Sequence, residues 1–238
     1  MYNEVIIEYL PNGYQLEIPP KAFPLGTDSM ALAHFIRLPK NARVLDIGSG
    51  CGTLGLLLCA KSSSCTVTGV ELDPRSHEAA GSNIRRNALT DRMESICADA
   101  SRIPELFPAG QFSVCVSNPP YFSGGPASHT HPLARREDSL SLESLMKSAG
   151  WALKFGGDLF IVHKPERLAQ IIALGSQNSL EAKRLCLLRH RPGDDISMIL
   201  LQLRKGGKPG IILEEATLYL ADGTPSKFCR DIYHMEEA

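Results

Sequence analysis

The chain has no Cys-x-x-Cys pair, and its seven cysteines are an odd number. Both facts argue against a disulfide framework and against a zinc centre. Cys59, Cys97, Cys115 and Cys186 lie inside apolar runs, where a thiol serves as a small buried hydrophobe. No apolar stretch approaches the roughly 20 residues of a membrane span. The start, Met1-Tyr2-Asn3-Glu4-Val5, lacks the basic and apolar segments of a secretion signal. These absences favour a reducing, cytoplasmic setting. A net charge of −1 gives no global attraction to nucleic acid. There is also no internal repeat and no linker, so the 238 residues are expected to fold as a single domain.

Charge is nevertheless unevenly placed. Residues 181–210 carry a net +4 and residues 1–30 a net −3, which permits a basic face on a neutral protein, although such runs are also ordinary solvated surface. From residue 43 to about 175, strand and helix signals alternate. Strands are expected at 43–47, 66–71, 95–98, 112–117 and 158–163. Helices are expected at 53–60 and 76–88, and around Leu142, Leu145, Met146, Ala149 and Leu153, the last ended by Gly156-Gly157. Pro165 opens a further helix. This alternation implies an α/β fold with a doubly wound, mostly parallel Rossmann-like sheet. Residues 185–189 and 196–203 read as an antiparallel hairpin closing one edge. Residues 1–40 read as a hairpin and helix before the core (41–203). Residues 204–238 read as a basic turn followed by a strand or extended arm, with a polar end from Asp231 that frays.

Asn118-Pro119-Pro120-Tyr121 follows the apolar run 112–117, at the carboxyl end of a strand expected to be buried on both faces. Open α/β sheets bind ligands at that end. Two prolines fix φ and offer no N–H, leaving a stiff loop of carbonyl acceptors beside the Asn118 amide and an aromatic ring. Such a loop suits a planar, conjugated –NH2 group. It is also compatible with a turn that merely ends a strand. The aperiodic segment from Pro120 to Asp138 has the length of a functional lid or a disordered loop.

A glycine-rich loop, Gly48-Ser49-Gly50-Cys51-Gly52, follows the first core strand, and Gly50 to Gly55 literally matches G-x-G-x-x-G. Asp46 decides against a dinucleotide, because a carboxylate there opposes a pyrophosphate. S-adenosylmethionine carries no phosphate, and its ammonium can be oriented by Asp46 directly or through water. Glu71 closes the second strand, 25 residues further on, where an acid can accept both ribose hydroxyls. Leu72 beside it is a further cofactor-binding candidate. Asp99 follows the third strand and can accept from an adenine amine, with the Ala100 N–H facing a ring nitrogen. Each acid alone is compatible with a solvated strand end. Three of them around one glycine loop favour a cofactor site.

With Asp46, the glycine loop, Glu71, Asp99 and Asn-Pro-Pro-Tyr in this order, the chain resembles class I adenosylmethionine-dependent methyltransferases that act on amino groups. Residues 10–14 and 23–33, Asn118 to Phe122, Arg135 to Asp138 and Arg204 to Gly210 resemble the tRNA1(Val) (adenine-N6)-methyltransferase family, over nearly the whole chain. The resemblance implies a tRNA substrate, methylated at the adenosine beside the anticodon, nucleotide 37. It also places Gly26-Thr27-Asp28 against the cofactor, whereas unaided reading makes Thr27 and Asp28 a helix N-cap.

On that resemblance, the Asn118 side-chain oxygen and the Pro119 carbonyl accept the two N6 hydrogens, with Pro120 stiffening the loop. Tyr121 stacks on the base, an interaction worth about 1–3 kcal/mol, and Phe122 adds an apolar wall. Arg135, Arg136, Lys205 and Lys208 are candidates for phosphate contacts, or ordinary surface charge. His129 and His131 lack partners at ligand spacing and read as loop residues, so no metal is expected. The same motif serves enzymes that methylate a protein glutamine amide, but those carry a helical N-terminal domain. An N6-adenine DNA methyltransferase would need a sequence-reading domain that is not visible. A noncatalytic RNA-binding or cofactor-sensing module would need none of Asp46, Glu71, Asp99 and Asn118 together. Oligomeric state is open between a monomer and a weak dimer.

Overall fold

Val44, Leu45 and Ile47, flanked by Val67 and Val70 on one side and Val114 and Val116 on the other, are all buried. Runs that are apolar on both faces belong in the middle of a parallel sheet, and that is where they sit. In the computed structural model, which describes residues 4–10, 13–20, 24–119 and 140–235, these runs are β3 (Arg43–Ile47), β4 (Thr66–Glu71) and β6 (Phe112–Ser117). The other strands are β1 (Ile6–Tyr9), β2 (Gln15–Ile18), β5 (Met93–Cys97), β7 (Leu153–His163), β8 (Leu180–Arg189), β9 (Ile196–Lys205) and β10 (Ile212–Thr217). The large sheet has the order β10-β8-β9-β7-β6-β3-β4-β5, and only β9 runs against the rest.

Helices cover both faces. On one lie α1 (Thr27–Phe35), α2 (Thr53–Lys61) and α3 (Pro74–Arg86), joined by the carboxyl-terminal α7 (Lys227–Tyr233). On the other lie the short α4 (Ile103–Leu106), α5 (Leu142–Ala152) and α6 (Leu168–Gln177). The β1–β2 hairpin is held to α3 by side-chain amides. Asn83 and Asn87 accept the Glu17 and Gln15 amides at 2.7 and 2.8 Å and donate back to the same residues' carbonyls. Asn83 Nδ2 also donates to the Cys51 carbonyl at 2.9 Å, which ties this brace to the glycine loop.

Several expectations need correction. Gly156-Gly157 does not end a helix. Helix α5 stops at Ala152, and Leu153 already pairs with Phe112 as the first residue of β7. A register shift between Phe112 and Val114 then places the glycines in the irregular part of that strand, with Gly156 at φ 77°. Leu153 satisfied the helical period by coincidence. The β8–β9 hairpin lies towards one side of the sheet, but β10 pairs parallel to β8 outside it and forms the outermost strand. Asp231 to Tyr233 belong to α7, whose N-cap Ser226 accepts the Cys229 amide and whose Cys229 and Ile232 are buried. Cys59, Cys115 and Cys186 are buried as expected, whereas Cys97 is exposed at the end of an outer strand.

Candidate active site

The carboxyl ends of β3, β4 and β6 converge. Ser117, the last residue of β6, is fully buried and donates to the Ile47 carbonyl at 2.8 Å, locking the ends of two strands together. The chain then turns into Asn118 and Pro119. Between β3 and α2 the backbone loops through Gly48, Gly50 and Gly52, with φ of 75°, 57° and 86°. Side chains rarely adopt such φ values, so the loop depends on glycine. The Gly48 and Ser49 amides both donate to the Val70 carbonyl, at 2.9 and 3.1 Å, folding the loop over β4. A side chain at Gly69 would lie 2.7 Å from Ser49 Oγ, so this closeness needs a glycine in the strand as well.

Asp46 sits beneath this loop, 1% exposed, and among the described residues neither carboxylate oxygen has a hydrogen-bond partner. Burial, and then the negative charge of Glu71, raise its pKa from 3.8 to about 7. The Gly55 amide pulls it down only in part, without completing a hydrogen bond. Ser49 Oγ is likewise buried and unpartnered. An unpaired buried carboxylate is costly unless something cationic answers it. Together with the glycine cradle, this donor set fits the ammonium-bearing end of S-adenosylmethionine.

Glu71 accepts the Gly50 amide on Oε2 at 2.7 Å and the Asp73 amide on Oε1 at 2.8 Å. It therefore shapes the loop as well as facing it, and each oxygen retains a second lone pair for a hydroxyl. Leu72 beside it is 44% exposed. Asp99 caps the following 3-10 turn by accepting the Ser101 amide at 2.7 Å, and Ala100 is buried with its carbonyl bonded by Ser148.

Thr27 and Asp28 open α1 on the same side, as its first helical residues and not as its N-cap, which is Gly26 with no side-chain capping bond. Thr27 Oγ1 lies 2.7 Å from the Tyr233 hydroxyl, and Asp28 accepts the Ser29 amide at 2.8 Å. The buried Ser29 Oγ in turn accepts from Asn118 Nδ2 at 2.9 Å. Sequence reasoning missed Ser29, Ser49 and Tyr233. Ser29 could have been found from its place directly after Thr27-Asp28; Tyr233, 206 positions away in sequence from Thr27, carries no local signal.

The structure thus brings together Thr27, Asp28, Asp46, the three loop glycines, Glu71, Asp99 and Asn118. It does not bring Lys205 and Lys208 there. Arg204 pairs with Asp158 near the beginning of β7, so the basic turn lies at the amino ends of the parallel strands, opposite Asn118. Lys205 Nζ is committed to the Leu153 carbonyl at 2.7 Å, and the Lys208 carbonyl is held by Lys183 at 2.8 Å. Pro120, Tyr121, Phe122, Arg135, Arg136, His129 and His131 lie outside the described residues. Leu140, which is described, packs at the Gly48 backbone. Among the described residues, no helix is long and apolar enough to cross a membrane.

Comparison with known proteins bears on the family and the fold. A family model described as methyltransferase small domain matches residues 25–173. A protein of Dickeya chrysanthemi (strain Ech1591) named tRNA1(Val) (adenine(37)-N6)-methyltransferase is 30% identical over 84% of this chain and 81% of its own. A protein of the same name from Bacteroides fragilis (strain YCH46) is 28% identical over 89% and 91%. Among solved structures, a predicted O-methyltransferase from Agrobacterium tumefaciens superposes with a TM-score of 0.73 at 22% identity. That match covers 89% of this chain and 98% of the other, and it bears on the fold alone.

Proposed function

The chain belongs to the methyltransferase small domain family and, within it, to the tRNA1(Val) (adenine(37)-N6)-methyltransferases, and we propose that it methylates N6 of adenosine 37, beside the anticodon of a tRNA. S-adenosylmethionine supplies an electrophilic methyl group on a sulfonium. Asp46 and the Gly48–Gly52 loop hold its amino-acid end, Glu71 its ribose, and Asp99 with the Ala100 amide its adenine, while Thr27 and Asp28 close the side formed by α1.

The observation that carries this reading is Asn118, set at the end of β6 with its amide nitrogen held by Ser29. Adenine N6 is a poor nucleophile because its lone pair is conjugated into the ring. Carbonyl oxygens of Asn118 and Pro119 that accept both N6 hydrogens draw electron density onto that nitrogen. Position supplies much of the remaining acceleration. A loop base can be splayed out at low cost, which suits an anticodon-loop target better than a duplex. Tyr121 and Phe122 then stack on the base, and Arg135 and Arg136 contact its phosphates. A tRNA substrate, as the relatives' names print it, supports a cytoplasmic setting.

The test is Asn118→Ala. Methylation of tRNA, read by nucleoside mass spectrometry as N6-methyladenosine, is expected to disappear while S-adenosylmethionine binding persists. Comparable turnover in the variant would sink the role given to Asn118. Label appearing in DNA or a protein glutamine instead of tRNA would replace the substrate.

A further inference from the structure

We infer that Ser29 is a positioning residue for methyl transfer, holding the Asn118 amide by its nitrogen as it faces the substrate. This rests on the reading of Asn118 given above. The backbone at Asn118 is restricted by the proline that follows, but its amide is not. The terminal torsion of an asparagine is broad and close to two-fold, so its oxygen and nitrogen exchange places at little cost. For this reaction the two orientations are not equivalent. With the oxygen outward the side chain accepts an N6 hydrogen. With the nitrogen outward it presents donors to a donor and repels the base.

Ser29 meets the first of these two orientations. Its Oγ accepts from Asn118 Nδ2 at 2.9 Å, so the oxygen is the end turned elsewhere. The serine is 8% exposed and cannot trade this hydrogen bond freely for water. It is also held by its main chain, because the Ser29 amide donates to Asp28 at 2.8 Å in the first turn of α1. That helix is fastened at both ends. Thr27 Oγ1 meets the Tyr233 hydroxyl of α7 at 2.7 Å at the front. At the rear, Lys61 Nζ donates to the carbonyls of Ala33, His34 and Ile36 at 2.8, 2.9 and 2.6 Å. The acceptor for Asn118 is therefore mounted on a braced element rather than on a loop, as precise placement of a reacting group requires.

The experiment compares Ser29→Ala and Ser29→Thr with wild type, using tRNA and S-adenosylmethionine. Ser29→Ala is expected to lower kcat by about tenfold or more, since a displaced reacting group loses on that order. KM for tRNA and cofactor affinity are expected to stay within about twofold, and Ser29→Thr, which keeps the acceptor, to recover most of kcat. Three outcomes would overturn the inference: an unchanged kcat in Ser29→Ala, a loss that tracks cofactor affinity, or no recovery in a folded Ser29→Thr. If Asn118→Ala is inactive while Ser29→Ala is fully active, only the inference about Ser29 fails. If Asn118→Ala itself turns over normally, the reading beneath it has failed.

Discussion

Glu71 Oε2 accepts the main-chain amide of Gly50 at 2.7 Å, so the acid that closes β4 is part of the loop it faces. Its other oxygen holds the Asp73 amide ahead of α3. Replacing Glu71 by Ala leaves two partly buried amides without their acceptors, a loss of about 1–3 kcal/mol. Urea denaturation without cofactor should therefore show a lower midpoint, together with weaker S-adenosylmethionine binding. If only the affinity changes, the carboxylate serves the ligand and not the loop.

Asp46 gives the site a pH dependence with a definite sign. Its folded-state pKa of about 7 lies above the ordinary 3.8. Between those values the folded protein holds a proton that the unfolded chain has released, so stability falls as pH rises through that window and levels off above it. Asp46→Asn should flatten this slope and stabilise the cofactor-free protein at about pH 8, by up to a few kcal/mol. An ammonium-bearing ligand favours the ionised carboxylate, so wild-type affinity should strengthen as pH rises through about 7 and that of Asp46→Asn should not. Calorimetric titrations showing the same affinity on both sides of neutrality would contradict this role.

Gly69 lies in mid-strand, and a methyl group there would meet Ser49 Oγ at 2.7 Å and Ser49 Cβ at 3.0 Å. Rotation about χ1 can move Oγ aside but not Cβ, so the loop itself must shift. Gly69→Ala should cost about 1–3 kcal/mol of stability and weaken cofactor binding at least tenfold. Equilibrium dialysis showing wild-type affinity would mean that the loop tolerates displacement.

Lys205 and Lys208 stand at the end of the sheet away from Asn118, with Lys205 bonded to the Leu153 carbonyl. Lys205→Gln and Lys208→Gln should leave the KM for a short anticodon stem-loop within about twofold. The salt dependence of its binding should also stay unchanged, since a lysine that neutralised a phosphate would contribute about one to that slope. A shallower slope for either variant would return the basic turn to the RNA surface.

Much of this was legible in the sequence, for identifiable reasons. Val44 to Ile47 and Val114 to Val116 are apolar in uninterrupted runs, and glycines following an aspartate at a strand end have few uses. Burial and backbone freedom leave marks at adjacent positions. What the sequence did not disclose depends on partners far along the chain. The Tyr233 hydrogen bond with Thr27 spans 206 positions of sequence. Gly69 carries no local mark of the Ser49 side chain that lies against it. Leu153 fitted a helical period and a strand equally, and only its pairing with Phe112 chose between them. The basic run 204–210 showed its charge but not the end of the sheet on which antiparallel β9 would leave it.

The outermost strand bears on behaviour at high concentration. Among the described residues, β10 leaves one row of main-chain groups unpaired in the sheet, beside Ile212 and Leu213, which are 59% and 66% exposed. Such an edge can template a foreign strand. Glu214 and Glu215 stand in the middle of that row, and a second copy laid antiparallel would set carboxylate against carboxylate. Two acids, one of them also gripping Arg184 at 3.0 Å, thus oppose the pairing of this edge with its own copy.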